Sequence, residues 1–240
     1  MQGEKPKIKG RANPVIQDSY LRIHHSLFAI LNCLDFHSHN SVAVLTFPTD
    51  AGYPRLTGSV LSELADLLAA VRQEGLFRGV LIAANSESFA VGADVEELAA
   101  LDGIAARNFA QTGQALFDQI ERFPVPVVAA IRGFCLGGGL DLALGCHARV
   151  ATYESSFGHP GGSLGLLTGW GGTQRLPRLI GTNQALQMLL TGDRIPATQA
   201  MTLGLVDELV ASRDLIEIAA RRAGQLAVNG EWATAQRLRI

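Results

Sequence analysis

Glycine gathers at three places in the second half of this chain, Gly137-Gly138-Gly139, Gly158 to Gly165 and Gly169-Trp170-Gly171-Gly172, and each cluster separates segments of strand or helix character. Clusters placed this way mark tight connections between regular elements, not disorder. Around them the chain alternates. Val80 to Ala84 and Val127 to Ile131 are continuously apolar, as strands buried on both faces of an α/β sheet are, and Arg149 to Thr152 reads as another strand. Leu61, Leu64, Leu68 and Val71 fall on one face of a helix, with Ser59 as its expected cap and Gly75 as its stop. Phe109, Gly113, Leu116, Ile120 and Phe123 give the clearest helical spacing, closed by Pro124 and Pro126, and Gly138 to Leu144 starts a further helix directly behind a strand. Strand, helix, strand, helix predicts an α/β core with right-handed crossovers.

Phe28 to Leu34 and Val42 to Phe47 suit two strands, joined as a hairpin by the polar His37-Ser38-His39-Asn40 stretch. Residues 1–25 carry Lys5, Lys7, Lys9 and Arg11 with little periodicity and read as a poorly ordered arm. The α/β core is expected over 26–182. A helical part is expected over 183–240, from Gln184 to Leu190, Pro196 to Leu203 and Leu215 to Val228. Core material is ample, with 48% hydrophobic residues and a mean hydropathy of +0.19. Twenty basic against 22 acidic side chains leave a formal charge of −2, so no field exists to draw a nucleic acid. Cys33, Cys135 and Cys146 are odd in number and lack CxxC spacing, which argues against a disulfide framework or a metal site and for a reducing, cytoplasmic setting. No apolar run approaches the ~18 residues of a membrane span, and no apolar h-region follows the basic start, so neither a membrane nor a secretory signal is expected.

Gly161-Gly162-Ser163-Leu164-Gly165 matches the GxSxG of a hydrolase nucleophile elbow. That chemistry requires a preceding strand and a later histidine; Pro160 opposes the first, and all six histidines precede Ser163. The run Ile131 to Gly139 lacks the spacing of a dinucleotide fingerprint, and no GK[ST] supports a triphosphate loop. It offers backbone amides at a helix start with no side chain in the way, which reads either as a bare turn or as a place for a developing negative charge. Ser88 to Leu98 repeats the arrangement: buried strand, small-residue loop, helix. If the amides of Ala93 and Gly138 converge, they form a two-donor hole for an oxyanion. Asp141, three residues beyond Gly138 in an apolar stretch, reads either as a charge favourable at a helix N-terminus or as a positioned acid/base.

The chain resembles the crotonase, or enoyl-CoA hydratase/isomerase, superfamily. The resemblance rests on Phe89-Ala90-Val91-Gly92-Ala93-Asp94, on Ile131-Arg132-Gly133 leading to Gly137-Gly138-Gly139-Leu140-Asp141, on Phe157-Gly158-His159-Pro160 and on Gly169 to Gly181. It continues through Leu189 to Ile195 and Gly204-Leu205-Val206-Asp207, so that it covers roughly Phe28 to Val228. It implies a crotonase (ClpP-like) fold of repeated ββα units forming a spiral, with a C-terminal helical part that assembles a homotrimer or dimer of trimers. It also implies an acyl-CoA substrate in fatty acid metabolism, with coenzyme A part of that substrate and no tightly bound cofactor or metal. The thioester oxygen would lie on the amides of Ala93 and Gly138, and the carbonyl near Val91 would face the adenine.

Departures from the family pattern bear on the reaction. Family hydratases carry glutamates at the positions of Asp141 and Gly161; here the first is shortened and the second is absent, so the two-carboxylate hydration cannot run unchanged. The acids of two other branches would fall at Gly161 and Gly169, or near Thr168. A phosphate-binding lysine is replaced by Glu96, with Arg55 as a possible substitute, and the chain ends at Ile240, short of the helical segment that lines the acyl pocket in many relatives. His159 reads as a loop histidine or a proton carrier, Trp170 as a packing plug at the pocket, and Cys135 as a small buried hydrophobe. Asp94 and Arg175 read as structural. The expected activity is acyl-CoA chemistry of the hydratase/isomerase type with Asp141 as sole acid/base. Decarboxylation, double-bond isomerisation and a catalytically weak acyl-CoA-binding subunit are the alternatives.

Overall fold

The computed structural model describes residues 33–47, 52–230 and 232. The arm expected over 1–25 and nearly all of the strand expected over Phe28 to Leu34 lie outside them. The main sheet has the order β1-β2-β3-β4-β6-β9, in which β1 is Asp35–His39, β2 Val42–Phe47, β3 Gly79–Ala84, β4 Val127–Ile131, β6 Ala148–Thr152 and β9 Glu208–Val210. Only β1 is antiparallel; the others are joined by parallel pairings.

The polar stretch expected as a connector is itself β1, with His37 opposite Val44 and Ser38 opposite Ala43. An edge strand with one wet face tolerates alternating polar residues, and only Phe36 of the five is buried. The turn shrinks to Asn40 and Ser41, both left-handed at φ 50° and 65°, the two-residue turn whose twist matches a hairpin.

Continuous apolarity in β2, β3 and β4 follows from burial on both sides. Val42, Val44, Leu81, Ala83, Val128 and Ala130 face α8 (Leu215–Asn229), which meets them with Ala219, Ala220, Ala223 and Leu226. Their neighbours Ala43, Leu45, Val80, Ile82, Val127 and Ala129 point the other way, into the core formed with α1 (Gly58–Glu74), α3 (Gly103–Glu121) and α4 (Gly138–Gly145). A one-residue register slip would exchange the two sets. The segment expected to be helical therefore supplies helices, and it also adds edge strand β9 to the sheet and α8 to one of its faces. At α1 the cap is Thr57, not Ser59: Thr57 has extended backbone angles and its hydroxyl accepts from Val60 N, whereas Ser59 already lies inside the helix.

A second, three-stranded sheet positions the site. Here β5 (Phe134–Leu136) lies parallel to β7 (Ser156–Gly158), which pairs antiparallel with β8 (Ile195–Pro196). The short helices α2 (Val95–Ala99), α5 (Gly172–Ile180), α6 (Thr182–Thr191) and α7 (Ala197–Thr202) complete the described elements. No described helix is long and apolar enough to cross a membrane.

Candidate functional site

Two loops meet because the segments leading into them are bonded side by side, Phe89 N and Ala90 N both donating to Phe134 O. Ala90 pairs with Cys135, and Leu136 N donates to Ala90 O at 2.9 Å, so the residues that follow each partner run side by side. The buried strand expected at the start of Ser88 to Leu98 is reduced to an isolated bridge at Ala90, since β3 already ends at Ala84. Past it the backbones almost touch: a Cβ at Gly92 would lie 2.9 Å from Gly138 N, and one at Gly138 would lie 3.5 Å from Ala93 N. Gly92 is also left-handed at φ 98°, a conformation that glycine adopts without steric cost. Gly138 begins α4, and Gly137 before it offers no side-chain cap. Neither Ala93 N nor Gly138 N donates to any hydrogen bond among the described residues. The sequence reading asked for convergence of these amides, and the chain brings them to one place with both free.

They face a cleft of about 470 Å³, with Ala93, Gly138, His159, Gly161, Thr168 and Trp170 among its walls and Leu98, Leu164, Leu166 and Leu167 as aliphatic surface. Val91 lines it too, its own N–H donating to Pro54 O at 3.0 Å. Trp170 is both wall and plug. Its ring is wedged where a Cβ on either Gly113 or Gly138 would come within 2.3 Å of it, and its Nε1 donates to Phe109 O at 3.2 Å. Arg55 is exposed and paired with Asp94 at 2.8 Å, outside the cleft walls. Asp94 caps α2 by accepting from Glu96 N and Glu97 N, and the Glu97 bond, then Arg55, holds its carboxyl below the usual range.

Asp141 is fully buried at 0% exposure and is not part of the cleft wall. Its Oδ2 accepts from the Thr168 hydroxyl and, at 3.2 Å, from Trp170 N, while Oδ1 has no partner. Burial raises its pKa to about 6, against the pull of those two bonds and of Arg175. His159, 3% exposed, sits with Nε2 3.6 Å from Asp141 Oδ1, and burial lowers its pKa to about 4. Sequence reasoning named His159 and Asp141 separately and missed their pairing. The signal was weak, since eighteen positions and a change of sheet separate them.

At Gly161 a Cβ would lie 3.1 Å from Leu166 O, a tight contact, and Leu166 N donates to Gly161 O at 2.9 Å. Ser163 lies in the 3-10 turn Pro160–Leu164 with its hydroxyl on Pro160 O at 2.7 Å, which is not a nucleophile elbow. Arg175 binds Asp118, Glu121 and Trp170 O as a structural clamp, and Cys135 is buried. Among the described residues no three His, Cys, Asp or Glu side chains form a metal cluster.

Comparison with known proteins bears on this arrangement. The enoyl-CoA hydratase/isomerase family profile matches residues 37–238. The fatty acid oxidation complex subunit alpha of Shewanella halifaxensis is 44% identical over 165 residues, covering 67% of this chain and 23% of that protein. Its counterpart from Idiomarina loihiensis is 42% identical over 189 residues, covering 77% and 27%. The chain thus spans about a quarter of the length of these curated relatives. Among solved structures, an enoyl-CoA hydratase from Bacillus anthracis superposes with a TM-score of 0.77 at 33% identity, over 82% of this chain and 77% of that one. Pseudomonas aeruginosa DspI does so with 0.78 at 27%, over 87% and 85%. The fold is the crotonase fold.

Proposed function

This chain belongs to the enoyl-CoA hydratase/isomerase family, and from that premise we propose that it moves a proton on acyl-CoA thioesters through an enolate held between Ala93 N–H and Gly138 N–H. The observation that carries the reading is the pair of unpartnered amides side by side at a largely aliphatic cleft. Removing a proton beside a thioester sends the electron pair to its oxygen. Fixed donors aimed at that oxygen bind the enolate more tightly than the neutral ester, which is what lowers the barrier. Coenzyme A enters as part of the substrate, with Val91 and Arg55 on its nucleotide side.

Asp141, the acid/base candidate of the sequence, lies behind the cleft wall 3.6 Å from His159, and the two together are the proton-transfer group. Hydration in the family manner needs a second carboxylate to hold water, and the position where family hydratases carry it is Gly161. An isomerisation that takes one proton and returns it needs no second acid, so double-bond migration is the reaction we assign. Fatty acid metabolism, a cytoplasmic setting and assembly as a homotrimer or dimer of trimers complete the proposal; light scattering tests the assembly.

The test compares conversion of 3-butenoyl-CoA to crotonyl-CoA with hydration of crotonyl-CoA. The expected result is isomerisation well above hydration, slowed in Asp141→Asn. Hydration that survives Asp141→Asn contradicts the assignment. Turnover of malonyl-CoA alone would favour decarboxylation, and binding without any turnover a non-catalytic subunit.

A further inference from the structure

Three buried polar atoms gathered beside the cleft have no hydrogen-bond partner: Asp141 Oδ1, His159 Nδ1 and His159 Nε2. Leaving such groups unsatisfied is costly, and their gathering at one point asks for a function. Oδ1 and Nε2 face each other at 3.6 Å, just beyond hydrogen-bond reach. The gap is kept clear by Gly172, where a Cβ would lie 2.1 Å from Oδ1 and 3.1 Å from His159 Cε1. Any side chain at 172 would enter the contact.

The two groups are not equally placed. His159 lines the cleft and Asp141 does not. Gly137 N donates to Gly158 O at 2.9 Å, so the chain that carries His159 is tied to the loop that presents Gly138 N. Thr168 and Trp170, two further neighbours of Asp141 in the cleft wall, already donate a hydroxyl hydrogen and a backbone N–H to Oδ2.

Resting on the enolate reading above, we propose that His159 is the catalytic residue that exchanges the proton with the substrate carbon, and that Asp141 is a positioning residue that orients its ring and stabilises the imidazolium. Neutral His159 takes the proton from the carbon next to the thioester. The C–H electron pair becomes the enolate double bond, and the charge passes to the oxygen between Ala93 N–H and Gly138 N–H. Returning the same proton to the γ-carbon completes a double-bond shift with no other reactant. Active-site contacts that are long in the free enzyme tighten in the substrate complex, and closing this one pairs two of the orphaned atoms.

The protonation states suit these roles. With its pKa near 6, Asp141 is ionised at neutral pH, and with its own near 4, His159 is neutral and ready to accept. The other groups bearing on the carboxyl are Arg175 and the backbone N–H of Gly172 from α5, which favour its charge, and the Cys135 thiol from β5.

The experiment is exchange of the α-hydrogens of butyryl-CoA in deuterium oxide, read by mass spectrometry beside calorimetric binding of the same thioester. His159→Gln is expected to bind normally and to lose exchange by roughly 10²-fold or more. Asp141→Asn is expected to slow exchange and displace its pH profile. Exchange at the wild-type rate in His159→Gln overturns the proposal while the enolate reading stands. A wild-type protein that neither binds nor exchanges butyryl-CoA overturns the enolate reading itself, and this proposal with it. Should His159→Gln fail to fold, nitrogen NMR of the wild-type imidazole decides: its titration is expected to move on saturation with butyryl-CoA, and an unmoved titration overturns the proposal.

Discussion

Asp141 and His159 are displaced in opposite directions by the same burial, so removing either one should expose the other in the pH dependence of stability. Asp141 titrates near 3.8 when solvated and near 6 in the fold. Below 3.8 it is protonated in both states and costs nothing. Between the two values the unfolded chain releases a proton that the native chain keeps, so stability falls as pH rises, and above about 6 the full cost is felt. A displacement of about two pH units at about 1.4 kcal/mol each is about 3 kcal/mol. His159 runs the other way, from 6.5 down to about 4. Across that window the unfolded imidazole holds a proton that the native one lacks, so stability climbs with pH, again by about 3 kcal/mol. In the wild type the two nearly cancel. Neither group draws its displacement from the other; burial is the leading cause for both. Asp141→Asn, which keeps acceptors for Thr168 and Trp170 N, should therefore gain stability relative to wild type by about 3 kcal/mol on going from about pH 4 to about pH 7. His159→Gln should lose about as much of its relative stability over the same range. Urea denaturation at steps across the window, taken as variant minus wild type, measures both slopes. Two flat differences, or two of the same sign, would refute the reasoning.

Thr168→Val removes a hydrogen bond to the charged form of Asp141, worth about 1.5–3 kcal/mol, so the acidic limb of the exchange profile should move up by about one to two pH units. Gly92→Ala puts a methyl 2.9 Å from Gly138 N on a left-handed residue; it should lower the denaturation midpoint by about 1–3 kcal/mol equivalent and cut isomerisation by about 10²–10³-fold. Asp207→Ala leaves fully buried Arg149 without its carboxylate, 2.9 Å away, and should cost about 3–5 kcal/mol in chemical denaturation.

Much of the fold was legible because burial writes itself into periodicity. Val127 to Ile131 is apolar at every position because α8 covers one face of the sheet and α3 and α4 the other, and the strand boundaries follow. Thr57 was missed as a cap because a serine two residues on satisfies the same chemistry; only backbone angles distinguish them. The β5–β7–β8 sheet escaped because strands of two or three residues leave no period to read. At the site, the glycine bends were visible, since close approach demands glycine. The closeness of Leu166 O to Gly161 was not, because a backbone carbonyl leaves no trace in the sequence.

The central claim is that the amides of Ala93 and Gly138 hold the thioester oxygen. It is tested most directly by the difference infrared spectrum of crotonyl-CoA, isotope-labelled at its thioester carbonyl, bound to the protein. Two strong donors should lower the carbonyl stretch from its value in free crotonyl-CoA, with most of that change lost in Gly92→Ala. A bound thioester whose stretch matches the free ester would contradict the account.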